Sequence, residues 1–161
     1  MDIKFHSAVI ITQDIDKMKP FYTEVLCQEV AFDFGGCIAF KSGLSLWQLD
    51  EAHIIAQKTG STFHKSGNRN FELCFETDDF ETVVSSIEQK GLEYLHKVQE
   101  ENWGQQTIRF YDPEKNLIEV GETLDCFIKR FYKAGMTVEN IAKRTSVPVD
   151  YIKNCLKKTS L

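Results

Sequence analysis

At 161 residues the chain is long enough for one well-buried domain, or for two small modules sharing one, and too short for two unrelated large domains. Its 42% hydrophobic and 27% charged residues are ordinary for a globular protein, no apolar run reaches the length of a membrane span, and MDIKFHSAVIIT has neither the basic nor the apolar region of a cleaved leader, so a cytoplasmic location is expected. The net charge of -5 is unevenly spread: after Asp125 eight basic residues stand against two acidic ones, a basic element that could meet DNA, an anionic partner or the acidic body of the same protein.

FHSAVIIT reads as a strand. Asp14 then caps a helix that places Ile15, Met18, Tyr22 and Val25/Leu26 at helical spacing, with Pro20 expected to kink it because an interior proline removes a backbone hydrogen bond. EVAFDFGG, CIAFKSG and LSLWQL are three short strands separated by glycine-bearing turns. The segment DEAHIIAQKTGSTFHKSGN reads as a connecting loop, from which His53 or His64 could supply a ligand or a general base.

The same order then returns. NFELCFET is a strand, Asp79 caps a helix with Phe80, Val83, Val84 and Ile87 on one face and Gly91 as its stop, and LEYLHKV, QQTIRFYD and LIEVGE are three further strands. Asp14 and Asp79 lie 65 residues apart, so the chain is read as a tandem βαβββ repeat. The fold class is α+β: two modules, about 1–50 and 70–125, forming a concave mixed sheet cup within a domain of residues 1–125, plus a small helical appendage over 126–161.

Each helix must cover one face of its own sheet, so alternate strand residues face away from it. Leu73 and Phe75 are then helix-side and Glu72 and Cys74 cup-side, while Ile118 and Val120 are helix-side and Leu117 and Glu119 cup-side. The corresponding cup positions of the first strand are Ser7, Val9 and Ile11, and Glu72 and Glu119 are expected to share one cavity. The five cysteines, without a C-x-x-C pair, read as reduced thiols and give little support to a structural zinc site.

The pattern D-x-x-x-x-x-x-F-Y-x-x-x-L in DIDKMKPFYTEVL, and the closing RFYDPEKNLIEVGE, resemble the vicinal oxygen chelate superfamily of glyoxalases, bleomycin and fosfomycin resistance proteins and extradiol dioxygenases. The resemblance implies a ligand set on the first and last strands of each module. It assigns Glu119 to the closing glutamate, Glu72 to a position usually His, Ser7 to the equivalent in the first module, and Leu46 or Gln48 to that module's last strand. An oxygen-dominated set of this kind suits one Mg²⁺ or Mn²⁺ better than Zn²⁺, and a cup holding no metal is equally compatible with it. Glu119 and Glu72 are the expected catalytic carboxylates, and Trp47, Gln48, Trp103, Gln106 and Arg109, with Gln105, the expected contacts to a small anionic or aromatic ligand. The expected function is a glyoxalase-like protein, a homodimer, that binds a small polar molecule in the cup; if it is an enzyme, the resemblance implies a metal-assisted lyase or isomerase or a dioxygenase-like enzyme. The alternatives are a non-catalytic sequestering protein of the drug-resistance kind, or a sensor with a DNA-binding tail.

Two local departures carry consequences. In the turn DPEKN, Lys115 stands where the superfamily usually has glycine, so a left-handed conformation should move to Asn116 or strain Lys115. In the tail, TVENIAKRTSVPVDYIKNCL resembles a helix-turn-helix unit packed through Ile141, Ala142, Val147 and Ile152, with Ser146 in place of the usual turn glycine and Lys153, Lys157 and Lys158 available to phosphates.

Overall fold

The computed structural model describes residues 3–59 and 71–157, so His64 and Lys158 lie outside the described residues. The chain divides into two compact units: the first runs to Phe71 and includes Tyr111–Leu117, and the second contains Glu72–Phe110 and Ile118 onward. No helix among the described residues is long and apolar enough to cross a membrane.

In the first unit β1 (Ala8–Thr12), β2 (Val30–Asp33), β3 (Cys37–Phe40) and β4 (Leu44–Gln48) form a sheet of order β1-β4-β3-β2, in which only the β1–β4 pair is parallel. Helix α1 (Ile15–Pro20) starts as expected, because the Asp14 carboxylate accepts the Lys17 N–H at 3.1 Å. The expected kink at Pro20 takes a specific form. Proline cannot donate, and from Phe21 to Val25 the chain widens into a π-helical turn closed by Leu26 N–H to Phe21 C=O at 3.2 Å. Met18 and Tyr22 are fully buried, the Tyr22 ring stacking on Phe40, and Ile10, Leu44 and Leu46 are buried in the same unit.

Two readings of this unit are corrected. Part of the segment taken as a loop is a short helix, α2 (Ile54–Thr59). Gln48, expected on the cup side, pairs with Thr12 just as Leu46 pairs with Ile10, and Thr12, Ile10 and Leu46 are all buried on the α1 side. The Gln48 amide oxygen accepts the Ile15 N–H at 3.0 Å, so this side chain helps to cap α1. A slip of one residue exchanges the two faces of a strand, and the face opposite the helix carries Ser45 and Trp47 instead.

The turn before β8 belongs to the first unit. Glu114 accepts from the Thr12 hydroxyl at 2.6 Å and the Gln13 N–H at 2.9 Å, and Asp112 accepts from the Tyr22 hydroxyl at 2.9 Å. Lys115 does adopt the left-handed conformation, at φ 67°.

In the second unit β5 (Leu73–Thr77), β6 (Tyr94–Glu100), β7 (Gln106–Tyr111) and β8 (Leu117–Glu122) repeat the topology as β5-β8-β7-β6, with β5 and β8 parallel. Asp79 caps α3 (Phe80–Glu88) by accepting the Thr82 N–H at 3.3 Å, and Gly91 turns the chain at φ 64°. Phe80, Ile87, Ile108, Phe110, Ile118 and Val120 are buried in this unit.

The tail belongs to this unit as well. Helices α4 (Leu124–Lys133), α5 (Val138–Thr145) and α6 (Val149–Lys157) bury Phe127, Ile128, Phe131, Ile141, Ile152 and Cys155 in one cluster, with Ala142 and Val147 against it. Thr123 and Thr137 cap α4 and α5 through their hydroxyls. Two of the basic residues meet the acidic body: Arg130 binds Glu122 and Glu100, and Arg144 binds Glu100, while both guanidinium groups lie over the Phe131 ring at 4.8 and 4.5 Å. Gly104 accommodates this dock at φ 102°, since a Cβ there would fall 2.4 Å from Phe131 Cζ.

Ser146 ends α5 in the left-handed conformation at φ 60°. Ser146→Gly is therefore expected to stabilise the protein by about 1 kcal/mol, because only glycine occupies this region without a Cβ penalty. Urea denaturation reads this as a raised midpoint at unchanged slope, and a lowered midpoint would show that the serine side chain matters more than its backbone angle.

Candidate functional site

The second sheet carries one polar row. In the parallel β5–β8 register Cys74 lies opposite Glu119, and across β6–β7 His96 lies opposite Arg109. Leu73, Phe75, Ile118 and Val120, one residue out of phase, take the apolar face, so the expected alternation holds in this unit. Glu72 immediately precedes β5, and Glu101 immediately follows β6.

These groups converge on Arg109. Its Nε donates to Glu72 Oε2 at 3.0 Å, its Nη1 to Glu101 Oε1 at 2.5 Å, and its Nη2 forms a close ion pair with Glu119 Oε2. Nη1 also reaches Thr107 Oγ1 at 3.3 Å and His96 Nε2 at 3.0 Å. An arginine cannot accept, so His96 Nε2 is the acceptor, and its Nδ1–H is left to donate to the Lys97 carbonyl at 2.8 Å.

The electrostatics follow from three carboxylates around one guanidinium. Burial works against the charge of Arg109, but its hydrogen bonds to Glu101 and Glu72 outweigh that and hold its pKa above the ordinary value. The hydrogen bond from Arg109 draws Glu101 below the usual carboxylate range. Glu119 goes the other way. Burial raises it, Arg109 pulls it down, and the neighbouring charges of Glu72 and Glu101 push it up again, leaving a net rise. Glu119 is only 7% exposed, and its Oε2, although close to Arg109, has no aligned hydrogen bond. Burial and the charges of Glu119 and Glu72 push the Cys74 thiol up to about 11, so it is protonated at neutral pH and a poor nucleophile.

The other candidates are placed elsewhere. Trp47 lies edge-on to His53, with ring centroids 5.0 Å apart, in the first unit, as do Ser7, which precedes β1, and Gln48. Trp103 Nε1 donates to Gln105 Oε1 at 3.1 Å, and Gln105 Nε2 donates to the Glu122 carbonyl at 2.8 Å. The Gln106 N–H donates to Glu122 Oε2 at 2.9 Å. Gln106 and Glu122 also line a groove of about 610 Å³ between the start of α3 and α4, together with Asp79, Lys129 and Lys133. Sequence reasoning passed over Glu101 and His96 as partners of Arg109, and Glu122 as the anchor of the tail. A charged residue within or beside an apolar strand was the one available signal for each.

Residues 5–125 match the model of the glyoxalase-like domain family. The chain belongs to the glyoxalase-like domain family. No curated protein matches its sequence. A protein of unknown function from Agrobacterium tumefaciens str. C58 is 30% identical in its solved structure, with TM-score 0.68 over 77% of this chain and 97% of that one. A lactoylglutathione lyase from Agrobacterium tumefaciens shares the fold at 22% identity and TM-score 0.57, over 76% and 96% of the two chains. A glyoxalase/bleomycin resistance protein/dioxygenase from Nocardioides does so at 18% and 0.55, over 76% and 84%. The vicinal oxygen chelate resemblance is thus shown, and the tail from Cys126 lies outside the matched family domain.

Members of the glyoxalase-like family commonly hold a divalent metal, and Glu72, Cys74 and Glu119 do bring ligand atoms within 4.8 Å of one another. The donor set nevertheless fails to fit an ion. Both carboxylates already hold a permanently charged guanidinium, and a metal beside it would be repelled. The third donor is a thiol that would first have to lose its proton at neutral pH.

Proposed function

We propose that this glyoxalase-like domain binds a small polar molecule on the polar row of its second sheet without a divalent metal, and that Glu119 is the residue positioned to give and take a proton there. The observation that carries this reading is the Arg109 guanidinium, whose three nitrogens each hold a different carboxylate. Proteins of this fold often bind small-molecule ligands and form dimers. Three carboxylates against one guanidinium leave an excess of negative charge, so a neutral or cationic hydrogen-bond donor is favoured over an anion. A ligand would reach the row past Glu72, whose side chain is 31% exposed, and past the exposed Cys74. A carboxyl group with a raised pKa holds its proton more readily than an ordinary carboxylate, which suits proton transfer, the step shared by lyase and isomerase reactions. This reading favours neither an iron-dependent dioxygenase nor a metal-assisted lyase.

The test has two parts. In chelator, a panel of neutral, cationic and anionic small molecules is screened by thermal shift, and binders are expected among the first two classes. Glu119→Gln is then expected to weaken the best binder, or slow its conversion, by about tenfold or more. Binding that requires added metal, or is indifferent to Glu119→Gln, would remove the proposal.

The same variant gives a pH signature. The folded-state pKa of Glu119 lies above its ordinary value, so its contribution to stability is complete below the ordinary carboxylate pKa and is lost as pH rises through the raised value. The charged groups facing it are Arg109, Glu72 and Glu101, with the Cys74 thiol beside them. Glutamine mimics the protonated form, so Glu119→Gln should gain stability relative to wild type as pH rises from the ordinary carboxylate pKa through the raised value. Parallel stability curves for the two proteins would contradict the raised pKa.

A further inference from the structure

We infer that Arg109 is an internal replacement for a divalent cation, and that its guanidinium keeps metal away from these carboxylates. The inference deepens the metal-independent reading above and concerns this chain's own residues. One oxygen from each of Glu72, Glu101 and Glu119 converges on Arg109 from three directions, with His96 Nε2 completing the circle. Carboxylate oxygens and an imidazole nitrogen are donor types that divalent cations take, and Glu72 and Glu119, with Cys74, already bring ligand atoms within 4.8 Å of one another.

A positive charge at this point is required by the carboxylates themselves. They start from the edge of β5, the β6–β7 connection and the middle of β8, and pairing of the strands forces them together whether or not a cation is present. Like charges at this spacing disfavour one another, and protonation alone would have to neutralise most of them. Arginine meets the need permanently, because its guanidinium does not lose its proton in the accessible pH range. A metal could enter only by expelling a side chain held by Glu72, Glu101, Thr107 and His96. The buried Glu119 Oε2 meets Arg109 Nη2 as an ion pair without an aligned hydrogen bond, so charge and not donor geometry holds this contact.

Removing the guanidinium while keeping an apolar stem should therefore turn the cluster into a metal site. Mn²⁺ titration followed by the electron paramagnetic resonance of the free ion compares wild type, Arg109→Met and Arg109→Lys, with circular dichroism as the check on folding. Wild type and Arg109→Lys should leave Mn²⁺ free, and Arg109→Met should bind one ion at least about tenfold more tightly than wild type. If Arg109→Met does not fold, Arg109→Met combined with Glu101→Gln removes one of the repelling charges and is titrated in its place.

Stoichiometric Mn²⁺ binding by wild type overturns the inference, and so does equal, weak binding by wild type and the folded methionine variant. Neither outcome depends on a small-molecule ligand. A failed ligand screen with a positive methionine variant would leave Arg109 as the cation substitute and remove only the binding proposal.

Discussion

Arg130→Ala is expected to cost about 3 kcal/mol of stability, the lower end for breaking a buried ion pair, because Arg130 keeps part of its own side chain in water. The guanidinium forks onto both oxygens of Glu122, at 2.9 Å each, and also donates to Glu100 at 3.0 Å and to the Gly104 carbonyl at 2.7 Å. The Glu122 side chain is 3% exposed, so truncation strands a buried carboxylate with the Gln106 N–H and the Cys126 thiol as its remaining donors. Arg130→Lys should recover only part of the loss, since an ammonium cannot span both carboxylate oxygens. Urea unfolding gives the energy, and amide exchange over residues 124–157 shows whether the tail opens first. A loss under about 0.5 kcal/mol would place this pair with ordinary surface bridges and leave the apolar cluster as the whole attachment of the tail.

Asp112→Ala is expected to cost about 3–4 kcal/mol, because several donors lose one buried acceptor together. Asp112 is 2% exposed and accepts from the Tyr22 hydroxyl at 2.9 Å, the Asn116 side-chain amide at 2.8 Å, and the backbone N–H groups of Glu114 and Asn116 at 2.9 Å each. Burial raises its pKa and these hydrogen bonds pull it down, with burial prevailing. The Tyr22 hydroxyl, on a fully buried side chain, would be left without its acceptor. Tyr22→Phe removes the other member of that bond and should cost about 1 kcal/mol, because Asp112 keeps its remaining donors. If equilibrium unfolding showed the two variants to be equally mild, the aspartate would be a solvated turn residue and not the centre of a buried network.

Several features could be read directly from the sequence. Asp14 and Asp79 both cap helices through the N–H of the third residue on, at the spacing that marked the repeat. Cap chemistry is local, so three or four residues suffice to specify it. The alternation around Glu119 was equally legible, because Ile118 and Val120 flank a single carboxylate in one phase. In LSLWQL both phases carry large apolar residues, and the Leu44–Leu46 phase, which takes Gln48 with it, is the one that packs under α1. The π-helical turn after Pro20 also escaped prediction, since a proline states that a hydrogen bond is lost and not which longer one replaces it.

By itself, then, the sequence determined the tandem modules, the helix caps, the position of Glu119 on the face opposite Ile118 and Val120, the free cysteines and a basic helical tail. Tertiary structure alone decided the partners of the charges. Arg109 meets residues 37, 8 and 10 positions away along the chain because the sheet order β5-β8-β7-β6 brings their strands together. Arg130 and Arg144 turn toward Glu122 and Glu100 because α4 and α5 pack there around Phe131. Hydrophobic periodicity is written residue by residue. An ion pair depends on two positions whose separation along the chain says nothing of their distance in space, and so whether Glu119 faces a metal or an arginine is settled only when the strands are paired.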